Sequence, residues 1–344
     1  MSSTTIAADE LSALAAAALA AGGVTDGAAK TIADVLVLAD SFGIHTHGVS
    51  RVPQYLERAA VGGINTAANV TATHVAPSLS IVNGDNGVGP LVASTALDAA
   101  LESAQKTGVG VALAKHSNHF GPVMPYLFRA ASEGYAAIIA SNATTTIAPW
   151  GGRATRLGNN PLGFGMPAPG ADPILLDIAL SVAARAKIRA AAADGRDIPD
   201  TWATDSTGRP TTDPRAALEG FLQPMAGHKG YGLAVMVDLF AGLLSGAAYL
   251  DKVSSWSETP EQPQDLGHFF LVIDTGALMP AEALGGRMAD FGARLHDVPP
   301  ADPDQPVRLP GEIEMARYHR QQRDGITLDE RDVHALRDLA RARV

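Results

Sequence analysis

AKHSNHFGPVMPYLFRAASEGYAAIIASNATTTIAPWGGRATRLGNNPLGFGMP, residues 114–167, decides how the rest of the chain is read. The apolar run VGVALA that leads into it reads as a buried strand. PVMPYLFRAASEG, with apolar residues at helical spacing and Gly134 to close it, reads as a helix. Between them lies a polar turn with two histidines three residues apart, His116 and His119. A strand, a polar turn and a helix is how α/β proteins commonly present reactive side chains at a sheet edge. A second strand, YAAIIAS, follows and delivers Asn142, then PWGG and LGNNP. So many Gly and Asn together permit positive φ and let backbone amides approach a ligand closely.

Composition bounds the function. A chain of 344 residues, 46% apolar and 18% charged, buries a sizeable core as one large domain or two. A net charge of −10 excludes nucleic acid and an anionic membrane as natural partners, because both require a basic face. Any anionic ligand must then be held by local positive groups. There are no cysteines, so disulfides, thiolate metal sites and a catalytic thiol are excluded, and a cytoplasmic location is expected. The segment LSALAAAALAAGG follows Asp9 and Glu10, where a secretion signal requires positive charge. No apolar run reaches the length of a membrane span.

Residues 8–21 read as an Ala-rich helix and 26–42 as an amphipathic one that ends in GIHTHGVSR. Ser50 is placed to cap a third helix, which would carry Arg51 and Tyr55 one turn apart on one face, toward His47. From Val70 onward, short apolar runs alternate with helices from about Gly89 to Lys106 and from Ser181 to Asp194, which predicts a mixed sheet with helical cover. Residues 195–214 carry the turn signals of a long surface loop. GHKGYGLAVMVDLFAGLLSG reads as the most apolar helix, expected to be buried, with Lys229 at its glycine-rich start. HFFLVIDT reads as a late strand, 280–296 as a helix, DVPPADPDQPVRLP as an extended crossing, and the tail as two charged helices.

His47 and His119 are the candidates for proton transfer, since imidazole both gives and takes a proton near neutral pH. His45 and His116 read as structural or solvated. Arg51 reads either as a clamp for a substrate carboxylate, which its planar fork suits, or as one half of a surface ion pair. Tyr55 reads equally as a core aromatic or a polar handle. Asp177, at a strand end, either serves a ligand or caps the helix starting near Ser181. Lys229 at a helix start is electrostatically ill-placed unless a ligand needs it. GFGMPA at 163–168 matches a loose dinucleotide fingerprint, but Pro167 and Gly170 preclude the helix that a phosphate site requires. The pairs His45-x-His47 and His116-x-x-His119 have spacings that can chelate zinc, so a metallohydrolase is a rival reading, although no nearby carboxylate completes a site. A non-catalytic metabolite-binding protein is a second rival.

Five motifs in order, HTHGVSR, SNHFG, the APWGG and LGNNP pair, GHKGYGLA and LPGE, resemble the malate/L-lactate dehydrogenase type 2 family, whose members include sulfolactate, ureidoglycolate and diketogulonate dehydrogenases and cyclic imine reductases. The resemblance runs from about Leu11 to Leu339. It implies an α/β fold with a non-Rossmann, nicotinamide-binding mixed-sheet domain over 71–297 and a helical domain formed by 1–70 with 298–344. It implies NAD or NADP as cofactor, a homodimer, and hydride transfer at C2 of a small 2-keto or 2-hydroxy acid, with an imine fitting the same layout; no metal is expected, because histidine and arginine can fill both chemical roles and the chain offers no cysteine ligand. His47 and His119 then line the pocket, one or other as acid/base, with Arg51, Tyr55 and His119 on the substrate. The cofactor contacts implied are Asp177, Ile178, Ala179, Ser181, His228, Lys229, Gly311 and Glu312, with Asn142 and Asn159 close by. The chain departs from the family pattern at Val123, Met124 and Pro125, which predict a bulkier, more apolar wall, and at Leu180 and Ala186.

Overall fold

The computed structural model describes residues 2–342. The N-terminal part comprises β1 (Ser3–Ile6), α1 (Ala8–Ala21), α2 (Asp26–Ser41) and α3 (Val52–Ala60). The central part follows as β2 (Thr71–Ala76), β3 (Leu79–Asn83), α4 (Gly89–Thr107), β4 (Val109–Ser117), α5 (Met124–Ser132), β5 (Tyr135–Ser141), β6 (Thr145–Ile147), β7 (Leu157–Gly158), β8 (Leu162–Met166) and β9 (Ile174–Ile178). Then come α6 (Arg185–Asp194), α7 (Pro214–Glu219), α8 (His228–Val237), β10 (Leu266–Asp274), α9 (Ala281–His296), α10 (Glu312–Asp324), β11 (Ile326–Asp329) and α11 (Glu330–Arg341).

Seven strands form one sheet in the order β2-β3-β4-β10-β5-β8-β9, and only β3 and β4 are parallel neighbours. This is a mixed α/β sheet and not the parallel doubly wound one that a G-x-G-x-x-G loop serves. GFGMPA accordingly contributes most of its residues to β8 and opens no helix. The topology fixes the site. β4 and β5 both run antiparallel to β10, and β9 runs antiparallel to β8, itself antiparallel to β5. So β4, β5 and β9 point the same way and release their C-terminal residues at one sheet edge.

β10 lies between β4 and β5 and is covered on both faces, which is why HFFLVI is a near-continuous apolar run. α4 lies across β3, β4 and β10, and its Ala and Ser residues let it pack closely. A second apolar cluster joins α1, α2 and Tyr55 to Ile326, Leu328, Val333 and Leu336 from the C-terminal end of the chain. A third gathers Ile147, Leu157, Ile188, Ala217, Ala234 and Ala241 around the segment that follows β9.

Several expectations need correction. α6 begins at Arg185 and not at Ser181. Ser50 does not cap α3; its hydroxyl donates to His45 O at 2.8 Å, and Arg51 lies just ahead of the helix, in the second of two short 3-10 turns. The apolar helix is not buried. α8 continues into a π-helical turn, Asp238–Leu243, whose inner residues Ala234, Val237 and Ala241 pack inward while Leu233, Met236, Phe240, Leu243 and Leu244 are exposed. An all-round apolar pattern predicts cover but not that the same chain provides it. β1 and β11, which pair from Ser3↔Asp329 to Ile6↔Ile326, had no readable signal, being four residues each and at opposite ends of the chain. No helix among the described residues is long and apolar enough to cross a membrane.

Candidate active site

The first wall is built from HTHGVSR. Asp40, fully buried near the end of α2, accepts from Val49 N at 2.8 Å and meets His45 Nδ1 at 2.9 Å. Burial pushes its carboxyl up, and those two bonds pull it down. Gly48 permits this knot, because a Cβ there would meet Asp40 Oδ1 at 2.1 Å. His45 therefore holds the turn, and His47, two residues on, is carried to the cleft.

The second wall follows β4. His116 turns aside with φ +53° and places Nδ1 2.9 Å from Asp265 Oδ1. Asn118, fully buried, donates to Gly87 O at 2.9 Å, and His119 N donates to Gln264 Oε1 at 3.1 Å. Gly89 lets this loop sit against the start of α4, where a Cβ would lie 2.2 Å from His119 O.

The two walls meet at the histidines. Their rings are 5.3 Å apart between centroids. Tyr55 O–H lies 2.9 Å from His119 Nδ1, and burial pushes the phenol up, so it stays protonated. Nδ1 is the only hydrogen-bond partner of that hydroxyl among the described residues; either end can donate, and when Nδ1–H donates to the phenol oxygen, Nε2 of the neutral His119 ring keeps its lone pair. Trp256 meets both rings edge-on, at 5.7 Å from His119 and 5.8 Å from Tyr55. Arg58 fixes that tryptophan: its guanidinium lies 4.8 Å over the indole and donates to Trp256 O and Gln262 O at 2.7 Å each. His47 Nδ1 is 2.9 Å from Thr46 Oγ1. Burial lowers both histidines, with the positive charge of Arg51 adding to it; His47 falls to about 4 and His119 well below its ordinary value.

Arg51 donates from Nε to Thr46 O and from Nη1 to Gln54 Oε1, both at 2.7 Å, and meets no carboxylate among the described residues. The surface ion pair is thus not formed. Nη2 and one Nη1 hydrogen remain for a ligand.

A cleft of about 450 Å³ runs from this pair along the sheet edge. It is lined by His47, His119, Asn142, Asn159, Asp177, Ala179 and Gly311, so residues spread over most of the chain converge. Phe120, Met124, Leu175, Leu266 and Pro310 make its apolar faces. Of the three residues expected to thicken the wall, Met124 alone lines the cleft. Asn142 is committed to the scaffold, with Nδ2 donating to Ala248 O at 2.7 Å and Oδ1 accepting from Gly267 N at 2.9 Å. Asp177 Oδ2 accepts from Met124 N at 2.9 Å, so it caps α5 and not the helix after Ser181. Burial raises its carboxyl to about 6, against the pull of the α5 amides.

Other expected residues lie off the lining. Arg51 and Tyr55 are not among the lining residues, although Tyr55 meets His119 from outside the lining. Ile178 ends β9, and the Ser181 hydroxyl donates to Ala183 O at 3.0 Å. His228 is exposed, 6.0 Å from Trp150, with Lys229 exposed beside it. Glu312 pairs with His296 Nε2 at 2.6 Å, whereas Glu314 lines the cleft. Sequence reasoning missed Glu314, Trp256 and Gln264. The first was within reach, being in the first turn of α10; the others sit in a loop with no motif. Neither histidine pair belongs to a group of three metal-ligating side chains among the described residues.

Comparison with known proteins matches a malate/L-lactate dehydrogenase family model to residues 6–337. The chain is 35% identical over 340 residues to a (2R)-3-sulfolactate dehydrogenase (NADP(+)) of Chromohalobacter salexigens, covering 97% of this chain and 98% of that protein. It is 33% identical over 300 residues to a ureidoglycolate dehydrogenase (NAD(+)) of Escherichia coli, covering 87% and 85%. The crystal structure of delta1-piperideine-2-carboxylate reductase from Pseudomonas syringae superposes with a TM-score of 0.88 at 29% identity, over 98% of this chain and 99% of that one.

Proposed function

The chain belongs to the malate/L-lactate dehydrogenase family and is an NAD(P)-dependent oxidoreductase; from that premise we propose that it interconverts a small 2-keto acid and its 2-hydroxy acid, with His119 handling the hydroxyl proton and Arg51 holding the carboxylate. The Tyr55–His119 hydrogen bond carries this reading. It fixes the ring and leaves the second nitrogen free beside the cleft, which is how a general acid/base is oriented.

The lining of the cleft suits a nicotinamide: Phe120, Met124, Leu175 and Pro310 supply apolar surface for a flat ring, and His119 belongs to the same lining. Asn159, Asp177, Ala179 and Gly311 would hold it. When bound, it supplies or accepts the hydride. The residues of this chain do the rest. In the oxidation direction neutral His119, in the tautomer whose Nδ1–H donates to the Tyr55 oxygen, takes the hydroxyl proton on Nε2 and becomes imidazolium. In the reduction direction the ring must first be charged. A substrate carboxylate on Arg51 offsets the positive charge that disfavours imidazolium. Apolar Met124 also suits a cyclic imine bearing the same carboxylate, which is the second reading.

The test is oxidation of NADH and NADPH against a panel of 2-keto acids and cyclic imines, with and without chelator. Turnover of a keto acid that chelator leaves intact is expected. Turnover of imines alone moves the assignment to the second reading, and loss with chelator restored by zinc would remove this mechanism.

The lowered histidines set a pH dependence. Oxidation needs the neutral ring, a form lost only as pH falls through its depressed value, about 4 for His47 and well below the ordinary value for His119. kcat/KM for hydroxy-acid oxidation, which reports the free enzyme, should therefore show no acid limb near 6.5, the ordinary histidine pKa, and hold down to about pH 5. A limb centred on the ordinary value would mean that the base is not held in the depressed state that burial and Arg51 give these rings.

A further inference from the structure

Beneath the cleft floor lies a histidine that the chemistry above does not use. His268 is fully buried on β10, in register with Ala114 of β4 on one side and Ser141 of β5 on the other. Its Nδ1 is 2.8 Å from Ser141 Oγ and its Nε2 is 2.7 Å from Ser117 Oγ. Its ring stacks on Phe120, 4.5 Å between centroids with 8° between planes. An apolar side chain at the centre of this sheet would avoid burying two polar nitrogens and two hydroxyls.

The proton positions follow from the partners. Ser141 Oγ lies 2.8 Å from Asn142 O and 3.2 Å from Gly267 O, and a carbonyl only accepts, so the single hydroxyl proton goes there. The oxygen is left to accept from Nδ1–H. Nε2 of the neutral ring then accepts from Ser117, whose hydroxyl proton favours this 2.7 Å contact over Asn118 O at 3.3 Å. Burial holds the ring neutral, with its pKa lowered to about 3. His268 thus exists in one tautomer with both nitrogens engaged.

What it joins are the two segments that make the cleft. Ser117 and Phe120 flank Asn118 and His119, while Ser141 precedes Asn142, and Phe120, Ser141 and Asn142 all line the cleft. We propose that His268 is a positioning residue: as a donor to one strand end and an acceptor from the other, it fixes the separation between the loop carrying His119 and the loop at Asn142. The proposal rests on His119 as the proton-handling group.

The test is His268→Phe, which keeps a ring stacked on Phe120 and removes both hydrogen bonds. kcat for keto-acid reduction should fall roughly ten- to a hundredfold, as for a reacting group displaced by a fraction of an ångström to one ångström, with substrate KM within about threefold. His268→Gln, able to engage one serine, should recover part of it. If His268→Phe lowers Tm but keeps kcat within about twofold, the histidine is merely structural and the proposal fails. Should that variant not fold, Ser117→Ala and Ser141→Ala each remove one arm and are judged by the same criterion. ¹⁵N spectra of the histidine rings give a reading independent of turnover. The wild type should show one Nδ1-protonated ring that does not titrate between about pH 8 and 5, and the His119 signals, assigned through His119→Gln, should move in His268→Phe. Were the wild type inert toward every keto acid and imine, the proposed function would fall, and unchanged His119 signals would by themselves overturn the role of His268.

Discussion

Replacing His119 with alanine should lower kcat by roughly two to four powers of ten, the span that general acid/base catalysis supplies. The expectation comes from the ring's two ends: Nδ1 held by Tyr55 at 2.9 Å, the other nitrogen at the cleft. Alanine also leaves a fully buried tyrosine hydroxyl without its hydrogen-bond partner, at a cost of about 1–3 kcal/mol in stability. Tyr55→Phe separates the two effects, since it removes the orienting bond and no proton donor. Its kcat should fall less than that of His119→Ala, while His119→Ala combined with Tyr55→Phe should regain stability without regaining turnover. His47→Ala should cost less than His119→Ala, because among the described residues His47 is oriented by a hydrogen bond to the neighbouring Thr46 hydroxyl alone. If His119→Ala keeps near-normal turnover across pH and His47→Ala does not, the roles are exchanged; if both keep it, the proton comes from elsewhere.

How much of this site the sequence discloses depends on where each residue gets its neighbours. His47, His119, Asn142, Asp177 and Gly311 are all legible because each lies at, or within two residues of, the end or start of a regular element, and strand direction alone brings β4, β5 and β9 to one edge. The sequence puts Arg51 and Tyr55 one turn apart on one helix face toward His47; in the fold Tyr55 lies within α3 and meets His119, whereas Arg51 lies ahead of that helix, in the second of two 3-10 turns pinned by Asp40, a residue with no motif of its own. Glu312 and Glu314 differ by two positions, which on a helix puts them on different faces; the LPGE motif cannot say which face meets the cleft. Trp256 and Gln264 come from an irregular loop whose path depends on Arg58, 198 residues from the carbonyl of Trp256 in sequence. The exposed stripe on α8 shows the opposite failure, an unambiguous apolar pattern of which this chain buries only the inner side.

Arg51→Lys should raise KM for the keto acid by a factor of about ten to a hundred, the equivalent of a charged hydrogen bond weakened by about 1.5–3 kcal/mol. Nε and one Nη1 hydrogen are already engaged by Thr46 and Gln54, which orients the free edge of the guanidinium and leaves Nη1 and Nη2 to face a carboxylate as a pair. An ammonium reproduces neither the plane nor the internal bonds. Affinity for reduced cofactor, followed by fluorescence, should hold within about twofold, because Arg51 lies off the lining of the cleft assigned to it. A fall in cofactor affinity with KM unchanged would place Arg51 on the cofactor's phosphates and reverse the two ligands. Arg51→Met adds a readout that does not depend on substrate affinity. Arg51 is one of the charges that depress His47 and His119, so removing it favours imidazolium and raises both folded values. The neutral base is then lost at a higher pH, and the acid limb of kcat/KM for oxidation should move upward in Arg51→Met while staying in place in Arg51→Lys, which keeps the charge.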